Sequence, residues 1–206
     1  MKTIQVIDHF LSDPKKLQQE AAKIKYSPNP VDNSNIVSGR SVYASKLEKK
    51  IMLTCGAKKI SWGTQSGTFR ITTKKHIRNT QNGFLAHSDG NINFISLLYL
   101  SRPYECHGGT AFYRHKKTGL EGLYNTTAIV KVLQKFSISI DSLFKLLAND
   151  SKQPHKWIQT DFIHMKFNRL LVFNGGLFHS AVFNFDKVAK SNKRLLFTCY
   201  GKNSNA

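Results

Sequence analysis

Acidic residues are scarce in this chain. Only 12 of its 206 residues are Asp or Glu, against 31 Lys or Arg, which leaves a formal charge of +19. That excess points to an anionic partner such as nucleic acid, a membrane surface or an acidic protein. Compositional drift towards Lys and Asn would enrich acids as well, so it does not account for their scarcity. Arginine is also scarce, with 7 Arg to 24 Lys. Proteins that read base edges lean on Arg forks, so the charge reads as a general attraction for anions. The Lys pairs at 15–16, 49–50, 58–59, 74–75 and 116–117 are scattered and read as solvated surface. Cysteine is rarer still. Cys55, Cys106 and Cys199 are odd in number and lack metal-type spacing, which argues against a disulfide framework and for a reducing, cytoplasmic setting. No apolar run is long enough to span a bilayer, and Asp8 interrupts the start before a leader-like apolar stretch develops. There is no internal repeat, low-complexity tract or credible linker. With 40% apolar content the chain reads as one domain over 1–206 with a substantial core.

The first third has helical texture. Ser12-Asp13-Pro14 supplies a cap and a first-turn proline, and Leu17, Ala21 and Ile24 then share one face. Ser27-Pro28-Asn29-Pro30 cannot continue a helix, and residues 28–42 read as loop with short extended pieces. A second helix is expected from a Ser45 cap to Gly56, with Leu47, Ile51 and Leu53 apolar. Thr3–Ile7 reads as a strand. From Gly67 the period changes to two, through Thr68–Thr72. After a basic turn at 74–82 come the strands Ile92–Leu100, buried on both faces, and Thr110–Tyr113. Residues 115–155 interrupt with helices at Thr126–Phe136 and Ser142–Ala148, forming an insertion that is either a lid or a packing element. Strands resume at Ile158–Met165, Leu170–Phe173, His179–Phe183 and Arg194–Tyr200, and a polar tail follows from Lys202. The expected class is mainly β with flanking helices: a double-stranded β-helix, the cupin-like jelly roll.

One triplet organises the chemistry. In His87-Ser88-Asp89 the outer residues lie two apart, so on an extended chain both side chains point the same way. With His179 they would form a 2-His-1-carboxylate face whose open positions suit a ferrous ion that must also bind a co-substrate and O2. The competing reading is a surface turn with Asp89 as its cap. Arg194 shares a strand face with Leu196 and Thr198. A guanidinium turned into a barrel requires an anion, which a dicarboxylate would supply. An Arg at an exposed strand edge is the alternative.

These segments resemble the non-haem Fe(II)/2-oxoglutarate-dependent dioxygenases, in particular the prolyl-hydroxylase-like branch. They are closer still to an uncharacterised family of oxygenase-like proteins. The shared motifs are His87-Ser88-Asp89-Gly90, Gly108-Gly109-Thr110-Ala111-Phe112, Asn168-Arg169-Leu170 and Phe178-His179-Ser180, and the likeness covers roughly the second half of the chain. The resemblance implies that His87, Asp89 and His179 ligate iron, that Arg194 binds the distal carboxylate of 2-oxoglutarate, and that the phenol of Tyr99 assists. Thr198, on the Arg194 face, could assist too, although strand packing explains it equally. Lys193 is the rival cation, expected on the opposite face. Arg169 reads as structural, Cys106-His107 as loop, and His115 and His164 as non-ligands. The implied reaction is hydroxylation of an unidentified protein, peptide, amino acid or metabolite, releasing succinate and CO2. The rival function is a non-catalytic basic jelly roll binding an anionic partner such as nucleic acid. Oxidative demethylation of nucleic acid is disfavoured because no second Arg follows Arg194, and a cupin-like isomerase would leave Arg194 unexplained.

Overall fold

The structure is a computed structural model, which describes residues 4–29, 36–73, 84–183 and 193–203. Strand β1 (Ile4–Ile7) leads into helix α1 (Pro14–Lys23), whose amino end is closed by the Asp13 carboxylate accepting from the Lys16 N–H at 3.2 Å. Strands β2 (Tyr26–Pro28) and β3 (Ile36–Arg40) precede helix α2 (Ala44–Thr54). Ser45 does not cap α2, because the helix has already begun at Ala44. The entry turn is made instead by Ser41, whose Oγ accepts from the Tyr43 N–H and whose carbonyl accepts from the Ala44 N–H. Leu53, expected on the buried face, is 63% exposed, while Ile51 is fully buried. The expected basic turn at 74–82 lies outside the described residues.

Two antiparallel sheets follow. The large sheet runs β1–β9–β6–β11–β5–β3–β2, where β5 is Thr68–Thr73, β6 Phe94–Tyr99, β9 Arg169–Phe173 and β11 Lys193–Asn203. A short strand β4 (Ile60–Trp62) also pairs with β11. That pairing carries β11 through Asn203, so Lys202 and Asn203 are strand rather than tail. The small sheet runs β10–β7–β8, with β7 at Gly109–His115, β8 at Trp157–His164 and β10 at His179–Val182.

Strand alternation sorts the side chains into layers. Outward from β11, Leu195, Phe197 and Cys199 join Leu98, Leu170, Phe69 and the buried faces of α1 and α2. Burial pushes the Cys199 thiol up to about 12, and those of Cys55 and Cys106 up to about 11, so all three stay protonated. Inward, Leu196 and Tyr200 meet Tyr99, Phe112, Phe173 and Leu177. Beyond the small sheet, helices α3 (Thr126–Phe136) and α4 (Ile140–Asp150) pack on Ala111, Tyr113, Trp157 and Phe178. The helices of the 115–155 insertion therefore pack on the outer face of the small sheet. Ser139 caps α4 and starts it two residues before Ser142. Among the described residues no helix is long and apolar enough to cross a membrane.

The Asn168-Arg169 motif is a joint. Asn168, at φ 62°, exchanges side-chain hydrogen bonds with the Leu11 backbone at 2.8 Å, and its N–H donates to the Tyr99 carbonyl. Arg169 donates through Nε and Nη2 to Asp8 and through Nη1 to the His164 carbonyl, the structural role expected of it.

Candidate metal and co-substrate site

The space between the sheets brings His87, Asp89 and His179 together. Each offers one ligand atom, and these atoms lie within 4.8 Å of one another. Backbone hydrogen bonds set the pairing. His87 and His179 face each other across a bridge, each N–H donating to the other's carbonyl at 3.1 and 2.9 Å. The Asp89 N–H donates to the Gly175 carbonyl at 2.8 Å. A Cβ on Gly175 would come within 2.4 Å of the Ile92 carbonyl oxygen, so the Asn174-Gly175-Gly176 turn can approach this loop only because it lacks a side chain.

The two imidazoles are oriented alike. Nδ1 of His87 bonds the Leu85 carbonyl and Nδ1 of His179 the Leu177 carbonyl, both at 2.9 Å. A carbonyl only accepts, so each Nδ1 carries a proton and each ring turns its Nε2 inward. Those Nε2 atoms lie 3.7 and 3.5 Å from the two Asp89 oxygens, longer than ordinary hydrogen bonds. Burial pushes the Asp89 carboxyl up. The contact with His179, joined by the charges of His87 and Arg70, outweighs it and holds the carboxyl below its usual range. The carboxylate is therefore ionised and the donor set is two imidazoles and one carboxylate, a set suited to a divalent transition metal.

A second group stands on the same inner faces. Arg194 is 7% exposed, whereas Lys193 is exposed, so the rival cation points away. The guanidinium lies over the rings of Tyr99 and Phe183, 5.5 and 5.3 Å from their centroids, and Nη2 donates to Thr110 Oγ1 at 3.2 Å. The Tyr99 hydroxyl meets the same Thr110 oxygen at 2.8 Å. The Arg194 Nε is buried with no acceptor among the described residues. An unanswered donor on a buried cation is costly, and a carboxylate would satisfy it.

The sequence reading passed over Thr110, although the Gly108-Gly109-Thr110 motif contains it. The glycines explain how it gets there. A Cβ on Gly108 (φ +93°) would come within 2.1 Å of the Val182 carbonyl oxygen, and one on Gly109 within 2.1 Å of that of Ile163. Only an unsubstituted backbone lets β7 slide between β10 and β8 at this level, and this sets Thr110 opposite Ala181.

The remaining expectations sort clearly. Thr198 shares the Arg194 face but is fully buried, and its hydroxyl bonds Thr68, four positions along the strand. It belongs to strand packing and stands outside the Arg194–Thr110–Tyr99 group. His115 is fully buried, with Nε2 on Asp150 and Nδ1 on Thr118, and His164 stacks edge-on to Phe162. Cys106 bonds the Ser101 carbonyl through Sγ at 3.5 Å. A cleft of about 590 Å³ opens beside the loop that follows Asp89, lined by Gly90, Asn91, Tyr124 and Asn174. None of the triad residues, nor Arg194, lines it.

Comparison with known proteins places this architecture. The sequence profile of a family of unknown function, DUF6445, matches residues 1–195. The chain belongs to that family. No curated protein matches its sequence. Among solved structures, HygX from Streptomyces hygroscopicus with nickel and 2-oxoglutarate bound is similar to the DUF6445 chain at TM-score 0.57 and 11% identity, over 97% of this chain and 82% of HygX. The same protein with hygromycin B also bound gives 0.55 at 10% identity, with the same coverage. The epimerase SnoN, in complex with Fe3+, alpha ketoglutarate and nogalamycin RO, gives 0.50 at 8% identity, over 98% of this chain and 80% of SnoN. At such identities the likeness is one of fold. The DUF6445 chain has the double-stranded β-helix of the non-haem iron, 2-oxoglutarate-dependent oxygenases, as its sequence led one to expect.

Proposed function

We propose that the protein is an Fe(II)- and 2-oxoglutarate-dependent oxygenase that oxidises, most simply by hydroxylation, a substrate still to be identified. The observation that carries this reading is the conjunction of two groups on one inner surface: three convergent ligand atoms within 4.8 Å, and a buried guanidinium whose Nε has no acceptor among the described residues. Either alone has ordinary structural explanations. Together they match the two ends of a keto-diacid, with one end on a metal and the other on an Arg fork.

In this reading Nε2 of His87 and His179 and the Asp89 carboxylate would hold the metal. The carbonyls of Leu85 and Leu177 fix the imidazole tautomers and increase their donor strength. Arg194 takes the distal carboxylate, with the Tyr99 and Thr110 hydroxyls setting the fork's position. Phe112, Phe173 and Leu177 line the space beside His179 and keep water from it. Bound together, Fe(II) and 2-oxoglutarate activate O2, giving succinate, CO2 and one oxygen atom for the substrate.

The test is formation of succinate from 2-oxoglutarate by the Fe(II)-loaded protein in air, with no added substrate. Turnover is expected in the wild type and abolished in Asp89→Ala and in His179→Ala. Equal succinate from the wild type and Asp89→Ala would refute the reading.

A further inference from the structure

Two guanidiniums, rather than one, rise from the inner face of the large sheet. Arg194 pairs across β11 and β5 with Thr72, while Arg70 pairs with Leu196. The two arginines are thus diagonal neighbours on one face, with Cα atoms about 7–8 Å apart. They have different surroundings. Arg194 belongs to Tyr99 and Thr110. Arg70 lies over the ring of Tyr200 at 4.9 Å, and its Nη2 donates to Gln65 Oε1 at 3.0 Å. Its Nε is buried and, like that of Arg194, has no acceptor among the described residues. Its charge reaches Asp89 through space, but the ion-pair contacts of Asp89 among the described residues are with His87 and His179. Arg70 therefore shares the inner face of Arg194 and makes no ion pair with the metal-ligand group among the described residues.

This leaves a question of supply. A keto-diacid engaged by Arg194 at one end and by the metal at the other has no anionic end left for Arg70. No described residue answers Arg70 Nε, and a second molecule would supply the acceptor. We infer that Arg70, steadied by Gln65 and stacked on Tyr200, receives an oxyanion of the primary substrate, so that the substrate class is a carboxylate- or phosphate-bearing molecule. This rests on the oxygenase reading and adds the substrate's charge to it. The planar fork suits either oxyanion. The excess of 31 basic over 12 acidic residues would steer any such anion towards the molecule.

The experiment titrates the protein loaded with Ni(II) and 2-oxoglutarate with two probes, inorganic phosphate and N-acetylglycine, by calorimetry. It compares the wild type with Arg70→Met and Arg70→Lys, each first checked by thermal melting. At least one probe is expected to bind the wild type, to bind Arg70→Met about tenfold or more weakly, and to lose less affinity in Arg70→Lys, which keeps the charge but not the fork, than in Arg70→Met. Which probe responds identifies the oxyanion. Affinity for 2-oxoglutarate should change less than about threefold in Arg70→Met and fall more than about tenfold in Arg194→Met. Equal probe binding by the wild type and Arg70→Met, or no binding by the wild type, overturns the inference. So does an Arg70→Met variant that loses 2-oxoglutarate as Arg194→Met does, because Arg70 would then serve the co-substrate. If the wild type binds neither metal nor 2-oxoglutarate, the oxygenase reading fails. The same probes on the metal-free protein then still decide whether Arg70 is an oxyanion site.

Discussion

Two His–carboxylate clusters sit on opposite sides of the small sheet, and they are built differently. On the helix side, His115 is fully buried and both ring nitrogens are answered, by Asp150 and by Thr118 at 3.0 Å each. Trp157 Nε1 donates to the Asp150 carbonyl at 2.8 Å and completes the cluster. On the inner side, His87 and His179 are each held through Nδ1 on a backbone carbonyl, while their Nε2 atoms converge on one carboxylate at distances longer than ordinary hydrogen bonds. A histidine that serves stability uses both nitrogens on the protein. A histidine prepared for a ligand uses one to hold the ring and turns the other towards the site. The two clusters should therefore exchange their sensitivities, one to unfolding and the other to metal.

The largest effect should be at the closed cluster. His115→Ala leaves Asp150 without its partner in the interior and is expected to cost about 3–5 kcal/mol, read as a lower urea midpoint, with metal affinity unchanged. If His115→Ala weakened metal binding as strongly as stability, the distinction would be lost. At the open cluster the pattern reverses. Asp89→Ala should lower Ni(II) affinity by more than about 100-fold, while the unfolding of the metal-free protein moves by less than about 1 kcal/mol. Calorimetry and urea titration on one preparation measure both.

Thr110→Val sharpens the comparison at the other end of the site. The change removes the oxygen shared by the Tyr99 hydroxyl and Arg194 while keeping its shape. A shift of about 1–2 kcal/mol is expected, appearing as roughly tenfold weaker 2-oxoglutarate binding with metal affinity intact. Unchanged co-substrate affinity would remove Thr110 from the site.

The smallest effect concerns acid. Hydrogen bonds from Arg169 and Lys166 hold the Asp8 carboxyl far below its usual range. A depressed folded-state value contributes stability above the ordinary carboxylate value of about 3.9, and that contribution is lost as pH falls through the folded-state value. Asp8 is 34% exposed, so solvent screening limits the cost of Asp8→Asn to less than about 1 kcal/mol at pH 7. Urea unfolding between pH 2 and 7 should show that difference shrinking below pH 4. A difference constant over the range would contradict the linkage.

Much of this was legible in the sequence because period and punctuation act locally. The helix at 126–136 and the strand around residues 94–99 follow from apolar spacing. The pairing of His87 and Asp89 came from a short motif, and the joining of His179 to them was what the family resemblance implied and an antiparallel barrel allows. Most of what escaped was set by tertiary contact. Ser45 has the chemistry of a cap, but Ser41 reaches the helix entry first. Leu53 lies two residues past Ile51, about 200° round the helix from it, and so faces away from the buried stripe of Ala44, Leu47 and Ile51. Thr110 opened an expected strand with no chemical role assigned, because its importance comes from Tyr99 and Arg194, on two other strands. Arg70 sat in plain view in an alternating strand, and only the register of β5 against β11 reveals that it shares the face of Arg194.

Anomalous diffraction from a crystal of the protein with Co(II) and 2-oxoglutarate tests the central claim most directly. One metal peak is expected, in contact with Nε2 of His87, Nε2 of His179 and the Asp89 carboxylate, with density for the co-substrate's far carboxylate on Arg194. A metal peak elsewhere, or a triad that closes on itself through His–Asp hydrogen bonds while the ion is in excess, would contradict it.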